Sequence, residues 1–347
     1  PYRRPNVLLL CGDQIYADDV PRALAEEMTT LGEAVTGGRE LLPPPRRRRR
    51  SRGETLEGEG FSSQQMDNHL RRFGEFCAAY LMAWNPDLWS PAAEAAYPEY
   101  FAGAASMRRL LANTPTYMIF DDHEITDDWF FNRDWKRNVA KAPLGRRIVA
   151  NGLAAFWLFQ AIGNDPDRFL SPRRDILCNP YRDPDNAGEC EPAPDRFLMK
   201  HLLATRGAAN SRTSEEFEKM FLVEIPNKRF DFVTPTTPGI VFVDTRTKRA
   251  TSPTHLHEGA GSSPSDGIKE APRLLDPLAL EHVGRLVARA LQGARKTVVV
   301  VTPTPVFGVS SVEAGVEKAI RVGRKSAYDA DAENFRSDLN SFLDFVA

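Results

Sequence analysis

Apolar and polar positions follow two rhythms along this chain, one short and unbroken, the other helical. Asn6-Val7-Leu8-Leu9-Leu10-Cys11 is an apolar run that stops at Gly12-Asp13-Gln14-Ile15-Tyr16-Ala17-Asp18-Asp19. Thr116-Tyr117-Met118-Ile119-Phe120 stops in the same way at Asp121-Asp122-His123-Glu124-Ile125-Thr126-Asp127-Asp128-Trp129. Short apolar runs closed by turn residues read as buried strands of an α/β sheet, and such sheets hold their ligands at the carboxyl ends of strands. The pattern predicts two strands that deliver acidic side chains to one crevice.

Helical spacing fills the intervals. Asp18 or Asp19 is the expected cap of a helix whose inner face is Ala23, Leu24, Ala25, Met28 and Leu31, ending no later than Gly37-Gly38. Met66, Leu70, Phe73, Phe76, Cys77, Tyr80 and Leu81 mark a second helix, and Tyr100 to Leu111 a third, broken by Asn113-Thr114-Pro115. Leu144 to Ile162 is amphipathic, with Ile148, Leu153, Phe156, Trp157 and Phe159 on its buried side, an aromatic stripe that reads as core rather than as a cofactor box.

Farther on, residues 221–225, 229–233 and 239–243 read as strands, the first two joined by a Pro226-Asn227-Lys228 hairpin loop. A helix over 278–291 and a β-branched strand over 296–301, stopped by Thr302-Pro303-Thr304-Pro305, restore the α/β alternation. No internal repeat is evident.

With 347 residues, 42% of them hydrophobic, and a net charge of −2, the chain can bury a sizeable core. Its length allows one large or two ordinary domains, and nothing global suggests nucleic acid. No run approaches the roughly 18 uninterrupted apolar residues of a membrane helix, and no basic-then-apolar leader opens the sequence. The sequence opens at Pro1 with a strand close behind it, so an upstream segment is expected to be missing and localisation is left open. Pro43-Pro44-Pro45, the arginines at 46–50 and 52, and Gly53, Gly58 and Gly60 form a Pro/Arg-rich insert over 39–62. Its composition predicts a disordered, solvated loop rather than a segment that binds phosphate-rich polymers.

Of the four cysteines, Cys11 and Cys77 are expected to be small core residues. Cys178 and Cys190 flank a polar loop, either as a disulfide or as two free thiols.

Carboxylates at a strand end suit hard cations, and one aspartate can bridge two of them. Gly12 lets the backbone turn so that Asp13 points into the crevice, and Tyr16 can fall on the same side of that turn. A capped turn accounts for the same residues. Four consecutive ionisable groups, Asp121-Asp122-His123-Glu124, repel one another unless a positive charge compensates them. His123 beside a metal pair suits a proton donor or a phosphate contact; a helix amino terminus with a surface histidine is the other reading. His255-Leu256-His257 has a chelating spacing but sits in a Ser/Thr/Pro/Gly loop.

Gly12-Asp13-x-x-Tyr16 resembles the G-D-x-x-Y metal motif of purple acid phosphatases and of alkaline phosphatase D. Gly-Asp-Gln-Ile-Tyr-Ala-Asp followed far downstream by Asp-Asp-His-Glu-x-Thr-Asp-Asp-Trp resembles the PhoD-like metallophosphatase branch in particular. Leu158-Phe159-Gln160, Val243-Asp244-Thr245-Arg246 and Val301-Thr302-Pro303-Thr304-Pro305 are similar to further stretches of that branch.

The resemblance spans most of the chain. It implies a single metallophosphoesterase domain over 1–347, incomplete at both ends: an α/β sandwich of two sheets flanked by helices, with a dinuclear metal site. Asp13 would bridge the two metals, Tyr16 would bind the iron-like one and Asp122 the second. His123 would face the phosphate or the leaving group, and Asp121 and Asp127 would be supporting or extra ligands. Iron with calcium is the implied pair, with manganese or zinc as alternatives.

The superfamily's first ligand motif and its closing Gly-Asp-x-His are absent from the six-histidine sequence, and truncation at both ends is the expected reason. The expected activity is metal-dependent hydrolysis of a small-molecule, lipid or nucleotide phosphate ester, without specific nucleic-acid binding and without a transmembrane segment. The alternative is a degenerate, non-catalytic relative that binds phosphate or a partner protein.

Overall fold

The computed structural model describes residues 5–46, 51–61, 63, 66–127, 129, 133–166, 212–219, 221–222, 230–247, 274–275, 277–292 and 297–304. The chain mixes helices with two small sheets. β1 (Leu8–Leu10) and β2 (Thr116–Met118) pair in parallel, with Leu8 opposite Thr116 and Leu10 opposite Met118. β3 (Phe232–Val233), β4 (Gly239–Phe242) and β5 (Val298–Val301) form the other sheet, antiparallel between β3 and β4 and parallel between β4 and β5. Ile119, Phe232, Ile240, Phe242 and Val301 share one apolar cluster with Val7, Leu9 and Tyr117, so side chains of both sheets pack together.

Most of the described residues are helical. Between β1 and β2 lie α1 (Arg22–Val35), α2 (Arg52–Glu59), α3 (Phe73–Trp84), α4 (Pro91–Ala96) and α5 (Pro98–Asn113). After β2 come α6 (Arg133–Lys141) and α7 (Pro143–Phe156), which continues through a π-helical turn (Trp157–Ala161) into α8 (Ile162–Asn164). α9 (Arg212–Lys219) precedes β3, and α10 (Pro277–Ala290) precedes β5.

α3 is the central pillar, since Phe73, Phe76, Cys77, Tyr80 and Met82 are all buried. α1 crosses it at Gly32 and Gly74: a Cβ built on Gly32 would lie 2.5 Å from the carbonyl carbon and oxygen of Gly74. Only a residue without a side chain permits that approach. Phe120, Phe156, Phe230 and Trp129 close the core beside β2, with Phe156 and Phe230 edge-to-face at 4.7 Å.

Several expectations need correction. The insert over 39–62 is ordered where it is described. Ser51 caps α2 by accepting from the Glu54 amide at 3.1 Å, Gly60 closes it with φ of 102°, and Leu56 and Phe61 are buried. Two apolar anchors and one buried carboxylate suffice: Glu40 accepts from the Phe73 amide at 2.8 Å and from Asn151 at 3.1 Å, tying the segment to α3 and α7. Composition averaged over the arginines and glycines hid these anchors.

Asp18 and Asp19 do not cap α1, which starts behind Pro21 without a side-chain cap. The helix over 66–81 starts instead at Phe73, where Glu75 reaches back to the amides of Arg71 (2.8 Å) and Arg72 (3.1 Å). Phe221-Leu222 lie in a helical turn, not a strand, because Phe221 packs against Phe217 of α9 at 4.8 Å and Trp157 at 5.9 Å. Cys11 is exposed at the end of β1, whereas Cys77 is buried as expected. The 226–228 hairpin loop, the Cys178 to Cys190 loop, His255-Leu256-His257, the arginines at 47–50 and the carboxyl-terminal stretch from 305 lie outside the described residues. No described helix is long and apolar enough to cross a membrane.

Candidate metal centre

The parallel pairing of β1 with β2 decides the geometry. Two adjacent parallel strands end on the same side, so Gly12-Asp13 and Asp121-Asp122-His123 leave the sheet next to each other. Gly12 sits so close to the second loop that a Cβ there would lie 3.7 Å from Asp121 Oδ2. The loops then knit together. The His123 amide donates to Asp13 Oδ1 at 3.0 Å, the Ala17 amide to the His123 carbonyl at 2.8 Å, and the Gln14 amide to Glu124 Oε1 at 2.8 Å. Asp121 Oδ1 accepts from the Asp122 amide at 3.0 Å and so starts the 3-10 turn Asp122–Glu124.

As a result, ligand atoms of Asp13, Asp122 and His123 lie within 4.8 Å of one another, and so do those of Asp18, His123 and Asp127. Either group can hold a metal ion. The first suits a hard cation better. In the second, Asp18 is already committed: Oδ1 accepts from His123 Nδ1 at 2.7 Å, and Oδ2 accepts from the Ser63 hydroxyl at 2.8 Å and the Asp127 amide at 2.7 Å.

Burial and mutual repulsion with Asp121 and Asp122 push the Asp13 carboxyl up to about 7. Burial likewise raises Asp121 to about 6 despite Arg246 beside it. Carboxylates held this far above their ordinary range gain from any cation that joins them. For His123, burial favours the neutral ring, but the hydrogen bond to Asp18 and the charges of Asp18, Asp13 and Asp122 outweigh it and raise the imidazole to about 9. Asp127 adds a second carboxylate 3.7 Å from His123 Nε2.

No family model, curated protein or solved structure matches this chain. The site therefore stands on its own geometry.

Asp13, Asp121, Asp122, His123 and Asp127 all gather at the ends of β1 and β2. Tyr16 stands at the rim, 55% exposed, its ring stacked on His123 at 4.3 Å between centroids and tilted by 31°. The charge of Asp13 holds the Tyr16 phenol above its ordinary value, so a phenolate there needs a cation to draw the proton off.

Four contributors were not assigned to the site from sequence. Asp18 orients His123, and Ser63, at the end of the ordered insert, braces Asp18. Gln160 faces inward from the π-helical turn and donates to Glu124 Oε1 at 2.8 Å; burial and the Asp13 charge hold the Glu124 carboxyl well above its ordinary range.

Arg246 is the fourth. Asp244 Oδ1 accepts from the amides of Arg246 (3.0 Å) and Thr247 (2.8 Å), a tight turn after β4 that aims the guanidinium at the acidic cluster. Arg246 Nε lies 2.6 Å from Asp121 Oδ1, and a terminal guanidinium nitrogen lies 3.1 Å from Asp122 Oδ1. The sequence signal for it was the strand end Val243-Asp244-Thr245-Arg246, whose arginine follows an apolar run as the acidic clusters do.

Proposed function

We propose that this protein hydrolyses phosphate esters at a cation site built on Asp13 and Asp122, with His123 as the proton donor and the metallophosphoesterase sandwich as its frame. The observation that carries the reading is the convergence of two strand-end loops into the Asp13, Asp122 and His123 group. An α/β fold with two sheets that share side-chain packing is consistent with that frame. The resemblance of Gly12-Asp13-x-x-Tyr16 and Asp121-Asp122-His123-Glu124 to PhoD-like enzymes supports the substrate class and, for the metal, iron with calcium ahead of manganese or zinc.

The donor set fits a hard cation: oxygen ligands from two strand ends, the raised Asp13 carboxyl among them, and a neighbouring imidazole. When bound, such a cation neutralises phosphoryl charge and lowers the pKa of an attacking water toward neutrality. The chain's own residues do the rest. Asp18 fixes the ring of His123 through Nδ1 and leaves Nε2 for the leaving-group oxygen, which departs more readily when protonated. Asp127, bonded through its own amide to Asp18, puts a carboxylate 3.7 Å from Nε2, too far to hold the ring but near enough to favour its charge. Glu124, locked by Gln14 and Gln160, keeps the Asp122–Glu124 turn in register with the first loop.

A second reading has one observation in its favour. Arg246 and His123 already compensate part of the acidic charge from within the chain, which suits a non-catalytic relative that binds phosphate or a partner. Equilibrium dialysis against manganese, followed by hydrolysis of bis(4-nitrophenyl) phosphate, separates the two. The enzyme reading expects bound cation and turnover, both falling at least about 100-fold in Asp13→Ala. A protein that retains neither cation nor turnover while still binding phosphate refutes it.

A further inference from the structure

Arg39, Arg52, Arg71 and Arg72 come together where the ordered insert meets the start of α3, and none of them belongs to the stretches that resemble the PhoD-like branch. Three have partners. Arg72 Nη1 meets Glu75 Oε1 at 2.7 Å and its Nε donates to the Glu40 carbonyl at 3.2 Å. Arg52 Nη1 donates to the His69 carbonyl at 3.0 Å, and Arg39 Nε stands 3.6 Å from Glu33 Oε1. The guanidinium of Arg71, a half-buried residue, makes no hydrogen bond and no ion pair with the described residues, its buried Nε included. Glu75, the carboxylate whose charge reaches it, is already filled: Oε1 accepts from Arg72 and from the Thr29 hydroxyl at 3.3 Å, and Oε2 from the amides of Arg71 and Arg72.

The backbone of Arg71 is clamped on both sides, its amide donating to Glu75 at 2.8 Å and its carbonyl accepting from Asn151 Nδ2 at 2.9 Å, so the unpartnered side chain starts from a fixed point. Burial and then the charge of Arg52 bring Arg71 down to about 10, with Arg72 and Arg39 adding to the repulsion and Glu75 opposing it. A guanidinium keeps its proton even so, and relief has to come from an anion. We propose that Arg71, flanked by Arg52 and Arg39, binds an oxyanion of the phosphate class, either a free ion or a lipid headgroup. Guanidinium groups grip phosphate oxygens through paired N–H donors, and Arg71 has all of its side-chain donors to give. The proposal does not rest on the hydrolase reading: none of these arginines pairs with Asp13, Asp121 or Asp122 in the described ion pairs, and either idea can fail without the other.

The full chain is first stripped of divalent cations on a chelating resin, so that none carries phosphate to the metal centre. It is then titrated with inorganic phosphate by calorimetry, in a buffer free of other polyvalent anions. Sedimentation with phosphatidylcholine vesicles, with and without phosphatidic acid, is the second arm. The wild type binds one phosphate per chain, or binds only the vesicles that hold phosphatidic acid, and the arm that succeeds identifies the source. Arg71→Gln weakens that binding at least about tenfold, while Arg285→Gln, which removes an equal charge from α10, leaves it unchanged. In the phosphate arm, a tenfold excess over the dissociation constant raises the wild-type melting temperature by about 2 °C and leaves that of Arg71→Gln in place, a difference that a merely structural arginine would not produce. Binding in neither arm overturns the inference; so does an equal loss in Arg71→Gln and Arg285→Gln, or no loss in Arg71→Gln. Should Arg71→Gln fail to fold, Arg39→Glu at its exposed position carries the test: binding at least about threefold weaker is expected, and unchanged binding overturns the inference.

Discussion

Replacing Asp18 by asparagine tests whether the orientation and charge of His123 come from this one buried carboxylate. The imidazole is raised from its ordinary 6.5 to about 9, a preference for the imidazolium of about 3 kcal/mol before solvent screening at the open edge of the ring reduces it. Burial opposes that preference, and Asp18 is the leading contribution in its favour, through a 2.7 Å bond and a full charge. The asparagine amide keeps an acceptor and loses the charge. A charge-assisted hydrogen bond exceeds a neutral one by about 1 kcal/mol, and a unit charge at this range adds up to about 4 kcal/mol. Half of that sum lowers the His123 pKa by about two units.

The sign follows from linkage. A histidine raised on folding stabilises fully below about 6.5, and the contribution is lost as pH rises through about 9. Asp18, held below its ordinary value by the His123 bond despite burial, is the same ion pair seen from its other end and is counted once. With divalent cations removed by chelation, wild type should lose about 2–3 kcal/mol more stability between pH 6 and 9.5 than Asp18→Asn loses. Urea denaturation reads that difference, and the His123 ring protons read the titration directly, assigned with His123→Gln. A His123 that still titrates near 9 in Asp18→Asn refutes the reasoning.

Other outcomes follow from the packing. His69 is fully buried and held down to about 4, chiefly by burial; a depressed histidine destabilises as pH falls below about 6.5, so wild type should lose about 2 kcal/mol by pH 5 that His69→Asn keeps, and parallel urea profiles would contradict this. Gly32→Ala or Gly74→Ala should each cost about 2–3 kcal/mol by forcing α1 off α3. Gly103→Ala, in α5 with open space around it, should instead stabilise by about 0.5 kcal/mol or more, and equal melting shifts at the three sites would sink the crossing argument. Gly152→Ala places a Cβ 2.6 Å from Ile125 beside the Asp122–Glu124 turn; stability should fall by about 1–3 kcal/mol and manganese affinity with it, and an affinity unchanged by calorimetry would show that the turn does not depend on that packing.

Much of the site was legible in the chain because its pieces are local. An apolar run that ends in Gly-Asp, and another that ends in Asp-Asp-His-Glu, need only strand periodicity and turn chemistry to be placed at strand ends. Periodicity also found α1, α5 and α7, whose apolar faces repeat with the helical period. What composition misread was sparse anchoring: Leu56, Phe61 and Glu40 hold the 39–62 insert, and averages over its arginines and glycines gave them no weight.

The sequence by itself determined the acidic residue types at the strand ends, their order and the strands that carry them, since each depends on neighbours within a few residues. Tertiary structure alone decided which groups meet. Asp18 lies five residues past Asp13 and looked like a helix cap until β1–β2 pairing set it against His123. Arg246 meets Asp121 across 125 residues of chain, through a second sheet whose packing on the first no local pattern encodes. Charges separated that far in sequence acquire a common site, and with it their shifted pKa values, only when folding removes the water between them.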